Sequence, residues 1–278
     1  MTGTPALPLP RRYVAIGDSF TEGLWDTAPE DPEVQYGWAD RLAFTLSGYR
    51  HEAGQEPLEY ANLAIRGRLL ESILTDQLPR ALEQRPDLIS IAGGGNDVLH
   101  LGCSPDRLAA LLDGAVARVR ATGTRVLLAT GMDTRGLALL GALRHKIAIY
   151  NADLWSIAHR HGAAVIDLWG MRSLRDRRMW AEDRIHLSPE GHRRVAQAGL
   201  VALGLPPGDP GWELPRGPGE TVASLAQLRD DAAWLRRDVY PWATRRLRRA
   251  STGDARRAKY PDLRLVEAAV DAPGRAGR

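Results

Sequence analysis

A single cysteine in 278 residues, Cys103, excludes an intramolecular disulfide and any cysteine-rich metal site. Its expected role is that of a small buried apolar residue rather than a reactive thiol. No stretch approaches the ~20 apolar residues of a membrane span. The proline-bearing N-terminus shows no apolar run of signal-peptide length before Arg11 and Arg12, so the expected location is cytoplasmic. The net charge is only +3, too small to indicate a polyanionic partner for the whole chain, and no nucleic acid is expected. Nucleotide fingerprints are missing as well. Gly93-Gly94-Gly95-Asn96-Asp97 lacks the Lys-Ser/Thr of a phosphate loop and does not fit G-x-G-x-x-G. G-x-S-x-G is absent around Ser19 because position 21 is Thr, which argues against a nucleophile elbow. There is no internal repeat. The hydrophobic content of 44% is that of a chain with a full core, so wholesale disorder is excluded.

What is present is organised around residues 13–23, YVAIGDSFTEG. A short apolar run stops abruptly at Gly17-Asp18-Ser19, the pattern of a buried parallel strand that delivers a serine onto a loop at its C-terminal end. Further strands are expected at residues 58–64, 87–92, 125–129 and 163–168, with helices at 36–46, 69–82, 104–121 and 143–161. Ser104-Pro105 and Ser188-Pro189 both read as a serine cap followed by proline at the first helical position. Five strands alternating with helices predict a parallel sheet covered on both faces. Right-handed crossovers then select a flavodoxin-like three-layer α/β/α sandwich.

Ser19 needs a base to take its proton, and His186 is the candidate, with Asp183 three residues earlier placed to orient the imidazole. The other histidines fit less well. His159 and His161 lie two apart on one helix and face different ways, a poor metal pair, and His192 just inside a helix start reads as a surface or packing residue. Taken alone, His186 would also read as a structural histidine.

Four blocks in order change that reading. GDSFTEG at 17–23, NLAIRG at 62–67, GGGND at 93–97 and DRIHLSPEGH at 183–192 resemble the motif blocks of the GDSL, or SGNH, serine hydrolase superfamily. The resemblance spans roughly residues 12–204. It implies that Ser19 is the nucleophile, His186 the base and Asp183 its orienting acid. It also implies an oxyanion hole made by the backbone N–H groups of Ser19 and Gly67 and the side-chain amide of Asn96. Singly, Gly67 would read as a turn and Asn96 as a cap. Asp18 and Asp97 are expected to order loops. Neither a metal nor an organic cofactor is implied.

Three residues are candidates for contacting substrate. Trp25 and Trp180 are expected near the rim, where an indole would stack on a sugar or line an acyl pocket, with plain packing an equal reading. Arg135 would hold an anionic substrate group, against the simpler reading of a loop-ordering pair with Asp133.

The expected domain, residues 1–204, is followed by a Pro/Gly-rich linker at 205–222 and a basic helical C-terminal extension at 223–278. Leu225, Leu228, Ala232, Leu235, Val239 and Trp242 form an amphipathic stripe, and residues 236–259 carry nine basic residues, Lys259 among them, against Asp238 and Asp254. Such a helix would dock on the domain with its basic face in water, or touch an anionic surface. The tail after Pro261 is expected to be poorly ordered.

The resulting expectation is a hydrolase of small-molecule or lipid esters, short acyl groups favoured, working through an acyl-enzyme. A lysophospholipase or thioesterase of the same fold is the alternative within the enzymes. A non-catalytic acyl or glycan binder is the alternative outside them.

Overall fold

In the computed structural model the described residues are 8–28, 31, 34–100, 102–135, 140–214, 253 and 256–267. Strand β1 (Arg12–Gly17) leads through the short helix α1 (Ser19–Glu22) and a loop to α2 (Gly37–Glu52) and β2 (Leu58–Asn62). Next come α3 (Leu70–Ser72), a π-helical turn (Ile73–Gln77), α4 (Leu78–Glu83), β3 (Leu88–Ala92) and α5 (Gly95–Val98). Helix α6 (Pro105–Ala121), β4 (Arg125–Ala129), α7 (Arg144–His161), β5 (Ala164–Ile166), α8 (Pro189–Ala202) and β6 (Tyr260–Val266) complete the order.

The sheet runs β5-β4-β3-β1-β2-β6, with β1 to β5 mutually parallel. This is the flavodoxin-like order, whose crevice lies beyond the C-terminal ends of β1 and β3. Alternate residues of β1 serve the two faces. Tyr13 and Ala15 pack with Trp38, Leu42 and Leu46 of α2 and Val195 of α8. Val14 and Ile16 pack with Leu70, Ile73, Val116 and Leu154 on the other side. Burial of both faces explains the continuous apolar runs of the strands. Ser104 and Ser188 cap α6 and α8 as their sequences predict, each accepting a backbone N–H from Arg107 and Gly191 respectively.

Several expectations are corrected. The sheet has six strands rather than five: β6 pairs antiparallel with β2, setting Leu58 opposite Val266 and Tyr60 opposite Arg264. The residues from Pro261 to Val266 therefore belong to an ordered edge strand, and this part of the extension is not helical. Proline is tolerated at the edge because only one side of the strand must supply ladder bonds. The apolar stripe at 225–242 and most of the basic stretch lie outside the described residues. The helix expected at 69–82 is interrupted by the π turn, where the Leu78 N–H bonds to the Ile73 carbonyl. Pro79 is the cause: it cannot donate to residue 75 and its ring crowds that carbonyl, so the turn widens.

Among the described residues no helix is long and apolar enough to cross a membrane. Cys103 is half-buried against the α6–α7 side of the core, and burial pushes its thiol pKa up.

Candidate active site

Gly17 ends β1 under tight restraint. Its N–H donates to Gln77 Oε1 at 2.8 Å and its carbonyl accepts from Gln77 Nε2 at 2.9 Å, so one side chain of the π turn holds both polar groups of the residue two before Ser19. A π turn at such a place is common at functional sites. Asp18 then caps α1, accepting the Phe20 N–H at 3.1 Å. As the first residue of a helix, Ser19 has a backbone N–H with no partner inside that helix.

The serine hydroxyl lies 2.9 Å from His186 Nε2, and His186 Nδ1 lies 2.6 Å from Asp183 Oδ2. Because the carboxylate accepts at Nδ1, the neutral ring keeps its proton there and leaves Nε2 as acceptor for the serine. The turn between the two residues places Arg184 in the left-handed region at φ 56°, and Asp183 Oδ1 accepts the N–H groups of Ile185 and His186 at 3.1 and 3.0 Å. Burial pushes the Asp183 carboxyl up, but the hydrogen bonds from the His186 ring and from these two amides outweigh it and hold it below the ordinary value.

Trp25 is half-exposed, adopts φ 73°, and donates its indole N–H to the same Oδ2 of Asp183 at 2.8 Å. Nothing in the sequence signals this bond, since the two residues stand 158 apart. It sets Trp25 directly beside the Ser19–His186–Asp183 chain.

Gly67 occupies the left-handed region at φ 77°, a conformation a side chain would resist, in a loop whose Ile65 N–H reaches the Gly17 carbonyl at 3.3 Å. Asn96 Nδ2 donates to Asp18 Oδ2 and to the Arg68 carbonyl, both at 3.0 Å. Asn96 thus joins the serine loop to the Gly67 loop. Asp97 fastens the start of α3 by accepting the Leu70 N–H at 3.0 Å. Glu22 grips Arg66 through the backbone N–H at 2.6 Å, through Nε at 2.8 Å and through a third contact to Nη2.

The remaining candidates sit differently. Trp180 is half-buried, donates its indole N–H to the Leu174 carbonyl at 2.7 Å and packs against the α2–α8 core. Arg135 is largely exposed and lies against Asp133, whose carboxylate also takes Arg144 Nε at 2.7 Å. His192 is fully buried, accepting the Trp38 N–H at Nδ1 and bonding Leu24 O through Nε2, both at 3.2 Å. Of the residues that shape the site, sequence reasoning missed Gln77 and Glu22. Gln77 had a visible signal, a polar residue within the inward stripe Leu70, Ile73, Leu74, Leu78 and Ala81.

A model of the GDSL-like lipase/acylhydrolase family matches residues 15–194, about two thirds of the sequence and all four motif blocks. The chain belongs to this family of hydrolases. No curated protein matches it. Among solved structures it is similar to LAE5, an alpha/beta hydrolase enzyme from the metagenome of Lake Arreo in Spain, at 25% identity and a TM-score of 0.59, over 69% of this chain and 94% of that one. It shares its fold with Axe2, an acetylxylan esterase from Geobacillus stearothermophilus, at 21% identity and a TM-score of 0.59, over 75% and 97% of the two chains. The fold is also that of TesA, at 23% identity and a TM-score of 0.54, over 69% and 97%.

Proposed function

We propose that the protein hydrolyses carboxylic esters, with short acyl groups favoured, through an acyl-enzyme on Ser19. The observation that carries this reading is the hydrogen-bonded series Ser19 Oγ, His186, Asp183, at 2.9 and 2.6 Å. Ser19 Oγ attacks the carbonyl carbon while its proton passes to His186 Nε2, and Asp183 stabilises the imidazolium that results. The tetrahedral oxyanion is met by the N–H groups of Ser19 and Gly67 and by Asn96 Nδ2, which exchanges its bond to the Arg68 carbonyl for one to the substrate. Collapse expels the alcohol, protonated by His186. Water, deprotonated by the same ring, then attacks the acyl carbon, and the carboxylic acid leaves with Ser19 restored.

Short acyl groups are favoured because the segment that follows the serine helix, residues 24–33, is acidic and proline-bearing rather than a long apolar lid. The acetylxylan esterase among the structural relatives is consistent with this preference. Trp25, half-exposed beside Asp183, would form one wall for the substrate. Trp180 and Arg135 are weaker candidates, since the indole N–H of the first and the guanidinium of the second already face Leu174 and Asp133. The reading invokes no cofactor and places the enzyme in the cytoplasm with small-molecule or lipid esters as substrates.

The test is hydrolysis of p-nitrophenyl esters from acetate to palmitate by the wild type and Ser19→Ala, with phosphonate labelling alongside. Turnover by the wild type alone, fastest on acetate, is the expected result. Undiminished turnover by Ser19→Ala would refute the assignment. Labelling of Ser19 without turnover would point to a thioester or lysophospholipid substrate, and neither labelling nor turnover to a binding protein.

A further inference from the structure

Lys259 lies far outside the part of the chain matched by the family model, yet its ammonium is buried against the last residue of the serine helix and the start of α2. Nζ lies 2.7 Å from the carbonyl oxygen of Glu22, 2.6 Å from that of Gln35, 2.7 Å from that of Tyr36 and 2.7 Å from Asp40 Oδ2. An ammonium has three hydrogens, and here four oxygens share them. The three carbonyls all belong to the segment that leaves the serine helix: Glu22 is its last residue, and Gln35 and Tyr36 close the loop before α2.

From that loop the bonding continues to the triad. Gln35 Oε1 accepts the Trp25 N–H at 3.0 Å, Gln35 Nε2 reaches Thr27 Oγ1 at 3.2 Å, and the Trp25 indole donates to Asp183 Oδ2 at 2.8 Å. Trp25 holds a left-handed backbone while half-exposed, so core packing does not impose its conformation. The bonds around it must do so. The same C-terminal segment also meets the Gly67 loop: Gly253 approaches Arg66 so closely that an added Cβ would collide with the Arg66 carbonyl oxygen.

A buried ion pair is by itself weak evidence for stability. Burial pushes the Asp40 carboxyl up and the Lys259 ammonium down, against their mutual attraction. What the lysine does beyond pairing is gather three carbonyls of one loop.

We propose that Lys259 is a positioning residue: by tying the carbonyls of Glu22, Gln35 and Tyr36 together it fixes the loop that aims the Trp25 indole at Asp183, and so sets the orientation of His186. The catalytic consequence rests on the ester-hydrolase reading above, whereas the geometric one does not.

The test compares Lys259→Met, Asp40→Asn, Gln35→Met and Trp25→Phe in the full chain. Both Lys259→Met and Asp40→Asn abolish the ion pair and should lower the melting temperature, but only the first frees the carbonyls. On p-nitrophenyl acetate, Lys259→Met, Gln35→Met and Trp25→Phe should each lose roughly 10-fold or more in kcat with little change in KM, while Asp40→Asn stays within about 2-fold. The far-downfield proton resonance of the His186 Nδ1–H···Asp183 bond should shift or broaden in the same three variants and persist in Asp40→Asn. Gln35→Met carries no buried charge, so it decides the matter if Lys259→Met does not fold. Equal kcat losses in Lys259→Met and Asp40→Asn, full activity in Gln35→Met, or a resonance that is absent in the wild type or unmoved in the variants would each overturn the proposal. If the wild type hydrolyses no ester, the functional reading fails while the resonance still tests the positioning role.

Discussion

Replacing Gln77 by leucine removes the side chain that brackets the last residue of β1. Gln77 is 5% exposed, and its amide both accepts from the Gly17 N–H at 2.8 Å and donates to the Gly17 carbonyl at 2.9 Å. In Gln77→Leu the buried N–H loses this acceptor, at about 1–3 kcal/mol, and the carbonyl loses one of its bonds, at about 0.5–1.5 kcal/mol. The carbonyl loses less because it keeps the Ile65 N–H at 3.3 Å. Leucine fills a similar volume, so the cavity contribution is small and the total is about 2–4 kcal/mol. For a domain of this size that is a fall of roughly 5–15 °C in Tm, read by calorimetry and by urea unfolding. Gln77→Glu separates the two bonds. A carboxylate still accepts the N–H but faces the Gly17 carbonyl without a hydrogen, whereas the protonated acid makes both contacts. Its folded pKa must then lie above its unfolded value near about 4.3, so its stabilising contribution is complete below that pH and disappears as pH rises through the folded pKa. The stability gap to the wild type therefore widens from pH 4 towards neutrality on the order of 1–3 kcal/mol. A Gln77→Leu protein within about 0.5 kcal/mol of the wild type, well under the ~1–3 kcal/mol of an orphaned buried amide, or a Gln77→Glu gap independent of pH, would show that Gln77 does not hold Gly17 in this way.

Asn96→Ala should lower kcat/KM by about 10²-fold, mostly in kcat, and steady-state kinetics on the best ester decides it; a change confined to KM would remove Asn96 from the oxyanion role. His192 is buried, and that burial pushes its pKa from 6.5 down to about 4. Below pH 6.5 the unfolded chain takes a proton that the native state refuses, so stability falls as the pH drops from about 6.5 towards about 4, by roughly 3 kcal/mol in all. Urea unfolding across that window should show a flatter curve in His192→Asn, which keeps an acceptor for Trp38; parallel curves would contradict the assignment. Glu190 is held low, to about 2, chiefly by its hydrogen bonds from Arg193, against burial, with Arg194 adding to the effect. Its contribution is complete above about pH 4.5 and is lost as pH falls towards about 2, so Glu190→Gln should lessen acid unfolding in that lower window.

The parts of the fold legible in the sequence are those that local chemistry decides. Strands β1 to β5 must be apolar because helices cover both faces of the sheet, and the Ser-Pro starts of α6 and α8 satisfy donors that any helix exposes. Ser19, Asp183 and His186 were legible as candidates because the blocks that carry them stand in order with those at 62–67 and 93–97; Ser19 follows β1, and the other two lie in the loop ahead of α8. The break in the helix at 70–83 was foreshadowed by Pro79 and by the polar Gln77 within an apolar stripe. Strand β6 had no such signal. It carries a proline and alternates poorly, and what recruits it is the free edge of β2, a feature of the folded sheet rather than of the segment.

Lys259 shows why the remainder stayed hidden. Within a run rich in arginine it reads as one more solvated charge, because composition assigns a residue to its neighbours in sequence. The fold assigns it to carbonyls 223 to 237 residues away. Those carbonyls can share one ammonium only because the fold brings the end of α1 and residues 35–36 together beside α2. A backbone oxygen turned away from water must be satisfied, and a strand docking on β2 brings a long amphipathic side chain within reach of three of them at once. The loop and the C-terminal strand are thus complementary: the first has buried acceptors in excess, the second supplies the donor. Neither half of that arrangement is visible until both are folded.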